Sequence, residues 1–515
     1  MKVETNYNEE QLEEGQYKTS IMNYIKDEDN KQDNQSHDDN QIKKEKEDDD
    51  KKFIYTPEEK KLLRKINMAT IPFIFAIVFL QYLDKVALNF SAVLGLFQDT
   101  GINGSEFSWL GSIFYLGYLL FQIPNQYCLQ WFPMSKYLGT CLVLWGIVLG
   151  CTPLAQTFPQ LLALRFLQGF FEASAYPCIQ LLISIIYRRK EQVILYGILM
   201  CSNNLGIALG GLIGFGFLSL NGLYGLSSWK WCMIILGSTT VGVGVITFFF
   251  LPDKTNSRWY RLTPEEHEIV EDRMKDNKVV QNKVIKLNHI WEALKEIRFY
   301  CYMIICFLLH LVNGCTSIFS TTIIKNMGFS TMQSILLNIP SGFMAMFLVL
   351  LAVFLSRRFN ENNYVGAFMC IITFVAMLLL TVLPISGAML SGILLATTNP
   401  GSAIILSVIG NNVSGYTKKV FYNGAYLVAY CLGNFTGPLM MIENEAPRYT
   451  SGMIGYMIAA IVSGLLFLFA RWTYVRDNRY RQQLKNEDGL PSFTTDENQP
   501  IDLTDREDLR FIYRP

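Results

Sequence analysis

Long apolar runs separated by short polar turns restrict this chain's fold more than any other feature. Six runs lie at about 68–96, 107–129, 137–155, 160–187, 193–219 and 229–251, and six more at about 299–325, 331–355, 364–384, 386–410, 419–441 and 450–474. Each is long enough for the ~20 helical residues that cross the hydrocarbon of a bilayer. Lipid offers no partner to a backbone N–H or C=O, and a helix satisfies those groups within one segment. The expectation is therefore an all-α integral membrane protein with twelve transmembrane helices in two six-helix bundles. The bundles are expected at about 56–251 and 299–476, joined by a polar connector at about 252–298. Two halves of six spans with a charged connector match carriers whose halves rock about a midplane site.

Orientation follows from the basic residues near the span ends. One side carries a dense set that includes Lys60, Lys61, Arg64, Lys136, Arg188, Arg189, Arg357, Arg358, Lys418 and Arg471, whereas the other carries Lys230, Lys325 and Arg448. That asymmetry places both chain ends and the connector on the cytoplasmic side. Residues 1–55 combine few apolar groups with charges of both signs, which predicts a disordered cytoplasmic tail. Residues 477–515 are expected to be a second cytoplasmic tail. Thr56-Pro57-Glu58-Glu59 and Thr263-Pro264-Glu265-Glu266 each place a hydroxyl three residues before a glutamate with proline between, the pattern of a capped helix start. In the fifth run Gly206, Gly210 and Gly214 recur every fourth residue, as Gly433 and Gly437 do in the eleventh. This spacing lets helices pack closely in lipid and predicts that both line the seam between halves.

Composition excludes several classes. None of the eleven cysteines forms a CxxC pair and most lie in apolar runs, so they are expected to be buried thiols rather than metal ligands. Nothing at the start resembles a secretory signal. No pattern marks nucleic-acid binding, zinc or a nucleotide phosphate, and four histidines are too few for a membrane-face catalytic cluster. No cofactor is expected, and the chain is not expected to be an enzyme. Asn103-Gly104-Ser105 is a glycosylation sequon in the first external loop.

Four charges stand where charges are expensive. Asp84 and Lys85 lie deep in the first run, and Arg165 and Glu172 lie in the fourth. Such groups cost several kcal/mol near the bilayer centre unless they are paired or face a wet cavity, and they mark function by default. By helical rise Asp84 is ~24 Å along its helix, a little past the midplane. Arg165 and Glu172 are seven residues apart, which puts them on one face. If that face meets the first helix, Asp84 and Arg165 can pair. Burial favours the neutral acid and a nearby cation favours the carboxylate, so the balance can set a carboxyl exchanging protons. Glu172 has no cation within a turn on its own helix and is expected to be the more easily protonated. Protonation of Asp84 would free Arg165 for an anionic substrate. Proton coupling is thus assigned to Asp84 and Glu172, and anion binding to Lys85 and Arg165. Tyr82 and Tyr115 are candidates for the same cavity. In the second half no Asp or Glu lies within a span; His310 and Asn434 are candidate substrate contacts, with Asn313, Asn338, Asn399 and Thr436 as further neutral partners.

The run Tyr82-Leu83-Asp84-Lys85-Val86-Ala87-Leu88-Asn89 resembles the first-helix signature of the anion:cation symporter family of the major facilitator superfamily. Within it the likeness is to the fungal allantoate permease group. Further matches are Phe114-Tyr115-Leu116-Gly117-Tyr118, Arg165-Phe166-Leu167-Gln168-Gly169-Phe170-Phe171-Glu172 and Gly433-Asn434-Phe435-Thr436-Gly437-Pro438, and the likeness covers about residues 55–480. It implies the major facilitator fold and uptake of a small organic anion driven by the proton gradient at the plasma membrane, by a monomer. Similar carriers take up allantoate and ureidosuccinate, carboxylate vitamins, cysteine or sulfonates. The family's proton-coupling acids correspond to Asp84 and Glu172, and its anion-binding cations to Lys85 and Arg165. The loop after the second span departs from the superfamily's acid-arginine-glycine-basic pattern, having Gln130, Trp131 and Lys136. A non-transporting nutrient receptor, or an anion carrier or exchanger of the same fold in an organelle membrane, is the alternative.

Overall fold

The computed structural model describes residues 56–254, 257–276, 286–396, 399–488, 503–508 and 511–515. The tail expected at 1–55 lies outside the described residues. Residues Lys65–Pro515 form one compact unit, and of the other, Met1–Arg64, only the first turns of the first helix are described.

The described residues form twelve membrane-crossing helical segments, a few broken by short turns. The first half comprises Pro57–Val93, Gly104–Trp131, Met134–Cys151, the pair Phe158–Glu172 and Ala175–Ile186, Arg189–Leu218, and Ser228–Phe250. The second comprises Ile297–Asn326, the pair Thr331–Leu336 and Asn338–Phe359, Asn362–Val382, the pair Leu390–Leu395 and Asn399–Asn412, Tyr416–Leu439, and Thr450–Asp488. Ten of these are long and apolar enough to qualify as spans by length and hydropathy alone. The fifth and eleventh do not: they carry polar groups such as Ser202, Asn203 and Asn434 among their glycines. Polarity of this kind belongs where a helix faces protein or a cavity rather than lipid.

Each half packs by its own pairings, the second span along the fourth and the third along the sixth, then the seventh along the eleventh and the ninth along the twelfth. The halves meet where the second span faces the eleventh and the fifth faces the eighth. Exchanging the halves converts one contact into the other, the signature of a repeat-built carrier. Gly211 of the fifth span serves this seam: a Cβ there would come within 2.8 Å of Ile339. Gly433 and Gly437 instead let the eleventh span lie on the seventh, since their Cβ atoms would meet the carbonyls of Phe307 and Leu311 at 2.4 and 2.2 Å. The eleventh helix reaches the seam through its other face, with Tyr430 at 6.1 Å from Tyr115 and Phe435 at 6.1 Å from Trp109.

The side that carries the connector is called here the connector side, and the opposite one the far side. Hydrogen bonds join the halves at Asn89 and at Ser105, both toward the far side. Asn89 donates to Ser320 at 2.7 Å and accepts from the Thr321 amide at 3.1 Å, and the Ser105 amide donates to Glu443 at 3.2 Å. A buried cluster crosses there too, joining Phe90, Phe107 and Leu110 to Ile318, Phe319 and Ile335.

The connector divides its attachments. The capping pair at Thr263 and Glu266 forms in both directions and starts the helix Pro264–Asp276, whose Glu266 also holds Lys65 at 2.7 Å. The helix Leu287–Lys295 belongs to the second half, where Glu292 and the following Glu296 grip Lys418 at 2.7 and 2.6 Å. The segment 477–515, expected as a second cytoplasmic tail, is in part ordered. The twelfth helix runs on to Asp488, and residues 503–508 and 511–515 dock on the connector side of the second half. Asp505 completes the shell around the buried Lys418 at 2.7 Å, Tyr513 donates to Asp505 at 2.9 Å, and Asn412 exchanges two hydrogen bonds with the Arg514 backbone. The sequence hides this because the anchoring groups are single polar residues scattered through a hydrophilic stretch.

Candidate functional site: a buried charge cluster beside a two-part cavity

The first and fourth spans bring all four charges together. Asp84 and Glu172 are 1% and 0% exposed and Arg165 is 5% exposed, so these three are removed from bulk solvent, while Lys85 is half-buried. Close approach of the fourth span to the second makes this possible. A Cβ at Gly169 would fall 2.0 Å from the Phe114 carbonyl, and one at Gly117 would fall 2.2 Å from the Phe166 carbonyl, so a side chain at either position would push the helices apart. The helix Phe158–Glu172 ends at Glu172 itself, and the chain turns through Ala173 and Ser174 before Ala175–Ile186 resumes.

The structure supplies the partners. Glu172, without a cation within a turn on its own helix, has Lys85 of the first span at 3.4 Å, while neither of its oxygens has a hydrogen-bond partner. Asp84, which could pair with Arg165 if the two helix faces met, is linked to it through Gln168. Arg165 donates to Gln168 Oε1 at 2.6 Å, and Gln168 Nε2 donates to Asp84 at 3.3 Å. A guanidinium can only donate and a carboxylate only accept, so the two partners fix which way the Gln168 amide points. The cation beside Glu172 comes from another helix, a pairing that spacing along one helix does not show. Gln168 was missed as a functional residue, although its signal was available: it lies three positions after Arg165, on the Arg165–Glu172 face.

Two adjoining cavities open beside the cluster. Lys85 and Arg165 line the first together with Tyr115 and Ser317, around about 290 Å³ of empty volume that includes open solvent. The second holds about 710 Å³ on the same measure and is lined by Tyr82, Asn89, Asn313, Asn338 and Ser341 among others. Ser317 lines both. Lys85 also sits 6.0 Å from the ring centre of Tyr118. The structure thus brings Tyr82, Lys85, Tyr115 and Arg165 to cavity walls, with Asp84 and Glu172 behind the cations. His310 and Asn434 are not among the lining residues of either cavity. His310 is 4% exposed, its Nδ1 bonded to the Cys306 carbonyl at 2.7 Å and its Nε2 3.2 Å from Ser402. Asn434 is fully buried; it donates to the Tyr430 carbonyl at 2.9 Å and accepts from Asn313 at 2.8 Å, so it positions a lining residue. The side chain of Asn399 lies outside the described residues.

A buried cluster of opposed charges beside a cavity, set between two repeated six-helix halves, is an arrangement suited to moving a charged solute. The Major Facilitator Superfamily profile matches residues 74–438. The chain belongs to the major facilitator superfamily. Its relatives include an uncharacterized transporter of Schizosaccharomyces pombe, 33% identical over 461 residues that cover 88% of this chain and 89% of the relative. Two more come from Saccharomyces cerevisiae. A thiamine pathway transporter is 31% identical, with 88% and 86% covered, and allantoate permease is 30% identical, with 89% and 87% covered. These relatives place the chain in the fungal allantoate-permease-like group of this superfamily. Among solved structures, a bacterial homolog of the human lysosomal transporter Spinster superposes with a TM-score of 0.63 at 15% identity, covering 78% of this chain and 96% of that one. The D-xylose–proton symporter gives 0.58 at 14% identity, covering 79% and 97%. At such identities these structures support the fold alone. The protein is a multi-pass membrane transporter of a small molecule and not an enzyme.

Proposed function

We propose that this transporter is a proton-coupled symporter that takes up a small organic anion. The observation that carries the proposal is the linked set Asp84–Gln168–Arg165 and Lys85–Glu172, buried and adjoining a cavity with both cations on its wall. Two acids and two bases neutralise one another in the empty site. An anion entering between Lys85 and Arg165 adds a negative charge that the low-dielectric site tolerates poorly unless a proton enters with it. The acids nearest the cations are where that proton goes. Asp84 takes it at the end of the Gln168 bridge, and Glu172 takes it as Lys85 turns to the substrate. Neither loaded form leaves a cation competing with its own carboxylate, so anion and proton stabilise each other's binding, and the two cross together.

The basic residues crowd the connector side, which we assign to the cytoplasm together with both chain ends; the plasma membrane is the proposed location and a monomer the working unit. The test is uptake of labelled small organic anions by cells expressing the chain, at acid and at neutral external pH, with and without a protonophore. Faster uptake at acid pH that the protonophore blocks is the expected result. Uptake indifferent to both leaves a facilitator or exchanger and removes the proton from the mechanism.

A further inference from the structure

The segment docked on the connector side of the second half carries a hydroxyl in an unusual place. Thr504 is fully buried although it belongs to a hydrophilic stretch, and its side chain is used twice. Its Oγ1 donates to Glu292 of the helix Leu287–Lys295 at 2.9 Å and accepts from the Glu507 amide at 3.2 Å, while the Glu507 carboxylate takes the Thr504 amide at 2.9 Å. A Cβ on Gly415 would stand 3.1 Å from Thr504 Cγ2, so the loop between the tenth and eleventh spans lies against it.

Around this point the segment works as a strap. The Ser414 amide donates to Asp505 at 3.3 Å and the Ser414 hydroxyl to the Leu503 carbonyl at 3.0 Å. Asn478 of the twelfth helix exchanges two bonds with the Tyr513 backbone, at 2.9 and 3.0 Å. The Asn362 amide, at the start of the ninth span, donates to the Pro515 carbonyl at 2.8 Å. With the Asn412–Arg514 bonds, the strap ties the connector-side ends of the ninth to twelfth spans to one another.

The charge around Thr504 is one-sided. Glu292 and Glu507 touch it, and Asp505 follows it in the chain. Lys418 is already shared among Glu292, Glu296 and Asp505, and Arg506 is turned to Glu296 at 3.5 Å. A phosphoryl group on Thr504 Oγ1 would end the bond to Glu292 and set a charge of about −1.5 to −2 among carboxylates, in a place with no access to solvent. Phosphate and docking therefore exclude each other. Along the chain the same acids make a substrate: Thr504-Asp505-Arg506-Glu507-Asp508 presents three carboxylates just after a hydroxyl, the charge complement of a basic kinase groove.

We propose that Thr504 is a phosphorylation site for an acid-directed kinase, which modifies the strap when it swings free and so keeps it from docking again. The γ-phosphoryl of ATP passes to Thr504 Oγ1: an O–P bond forms there, the P–O bond to ADP breaks, and the hydroxyl proton goes to the kinase's base. This rests on the assignment of the connector side to the cytoplasm, where ATP is.

The test incubates the purified full chain with casein kinase II and magnesium ATP and locates phosphate by mass spectrometry. Docking of the strap is read by hydrogen exchange at the amides of Asn362, Ser414 and Tyr513. Both sides of the purified chain are open to the kinase, so this result does not depend on the assignment of sides; phosphate on chain isolated from cells tests that assignment separately. Phosphorylation of Thr504 is expected to be slow in the parent and at least about tenfold faster in Asn412→Ala, which removes an anchor of the strap and leaves the acidic run intact. Exchange at the three amides should rise by a similar factor once Thr504 is phosphorylated, and in Thr504→Glu without any kinase. Absence of phosphate from Thr504 in Asn412→Ala overturns the proposal. So does phosphate carried with exchange unchanged, or an equal rate of phosphorylation in parent and Asn412→Ala, which would mean that the strap does not shield the site.

Discussion

Gln168 turns two separate charges into one device. Its amide is held from both ends, by a donor that cannot accept and an acceptor that cannot donate, so the state of Asp84 is felt at Arg165. Gln168→Leu keeps the bulk and removes both bonds. It is expected to cut substrate accumulation by about tenfold or more, the scale of a lost hydrogen bond to a charged group, and to flatten the dependence of uptake on external pH. A variant with normal accumulation and normal pH dependence would show the bridge to be packing only. Glu172→Gln separates driving from binding: accumulation against a gradient should be lost while exchange of internal for external substrate persists. Loss of both together contradicts that separation of roles. The two variants follow from different geometry, because Glu172 is paired with Lys85 whereas Gln168 links Asp84 to Arg165.

At the scale of helices the sequence was legible where periodicity and length carried the signal. The expected bounds of the third and sixth spans, about 137–155 and 229–251, lie close to the observed Met134–Cys151 and Ser228–Phe250. Interruptions were not legible, since a turn of two residues at Ala173 and Ser174 leaves the apolar pattern of the fourth span intact. Nor was the partner of each charge, because pairing depends on which face of one helix meets which face of another. The docked segment was equally hidden, and it makes a sharp prediction. Lys418 is fully buried and held by Glu292, Glu296 and Asp505. Lys418→Met leaves three carboxylates facing one another and should cost about 3–5 kcal/mol, read as a fall in melting temperature of the purified protein. A melting temperature unchanged from the parent would mean that the shell around Lys418 does not form.

For the whole molecule the far-side contacts matter most. Asn89 ties the first half to Ser320 and Thr321 of the second one helical turn beyond Lys85, so the closure of the far side and the charge cluster share a helix. Rocking of the halves about the site requires those bonds to break when the far side opens. Asn89→Ala should favour the opened form and raise the labelling rate of a cysteine placed at Ile318 by a membrane-impermeant reagent applied from the far side. A labelling rate equal to that in the parent would show that Asn89 is not part of the closure. The twelve-helix, two-half plan was readable from apolar runs and the basic asymmetry, whereas the state in which the halves are held was not, since it depends on contacts between residues some 230 positions apart.

The central claim is that a proton enters with the anion, and one measurement reaches it directly. The purified chain is reconstituted into vesicles holding a pH-sensitive dye, and substrate is added outside with no pre-set proton gradient. Substrate-dependent acidification of the interior, abolished by Arg165→Ala and matched by substrate entry, is the predicted result. Substrate entry with no change in interior pH would contradict the account and leave the buried acids without their proposed role.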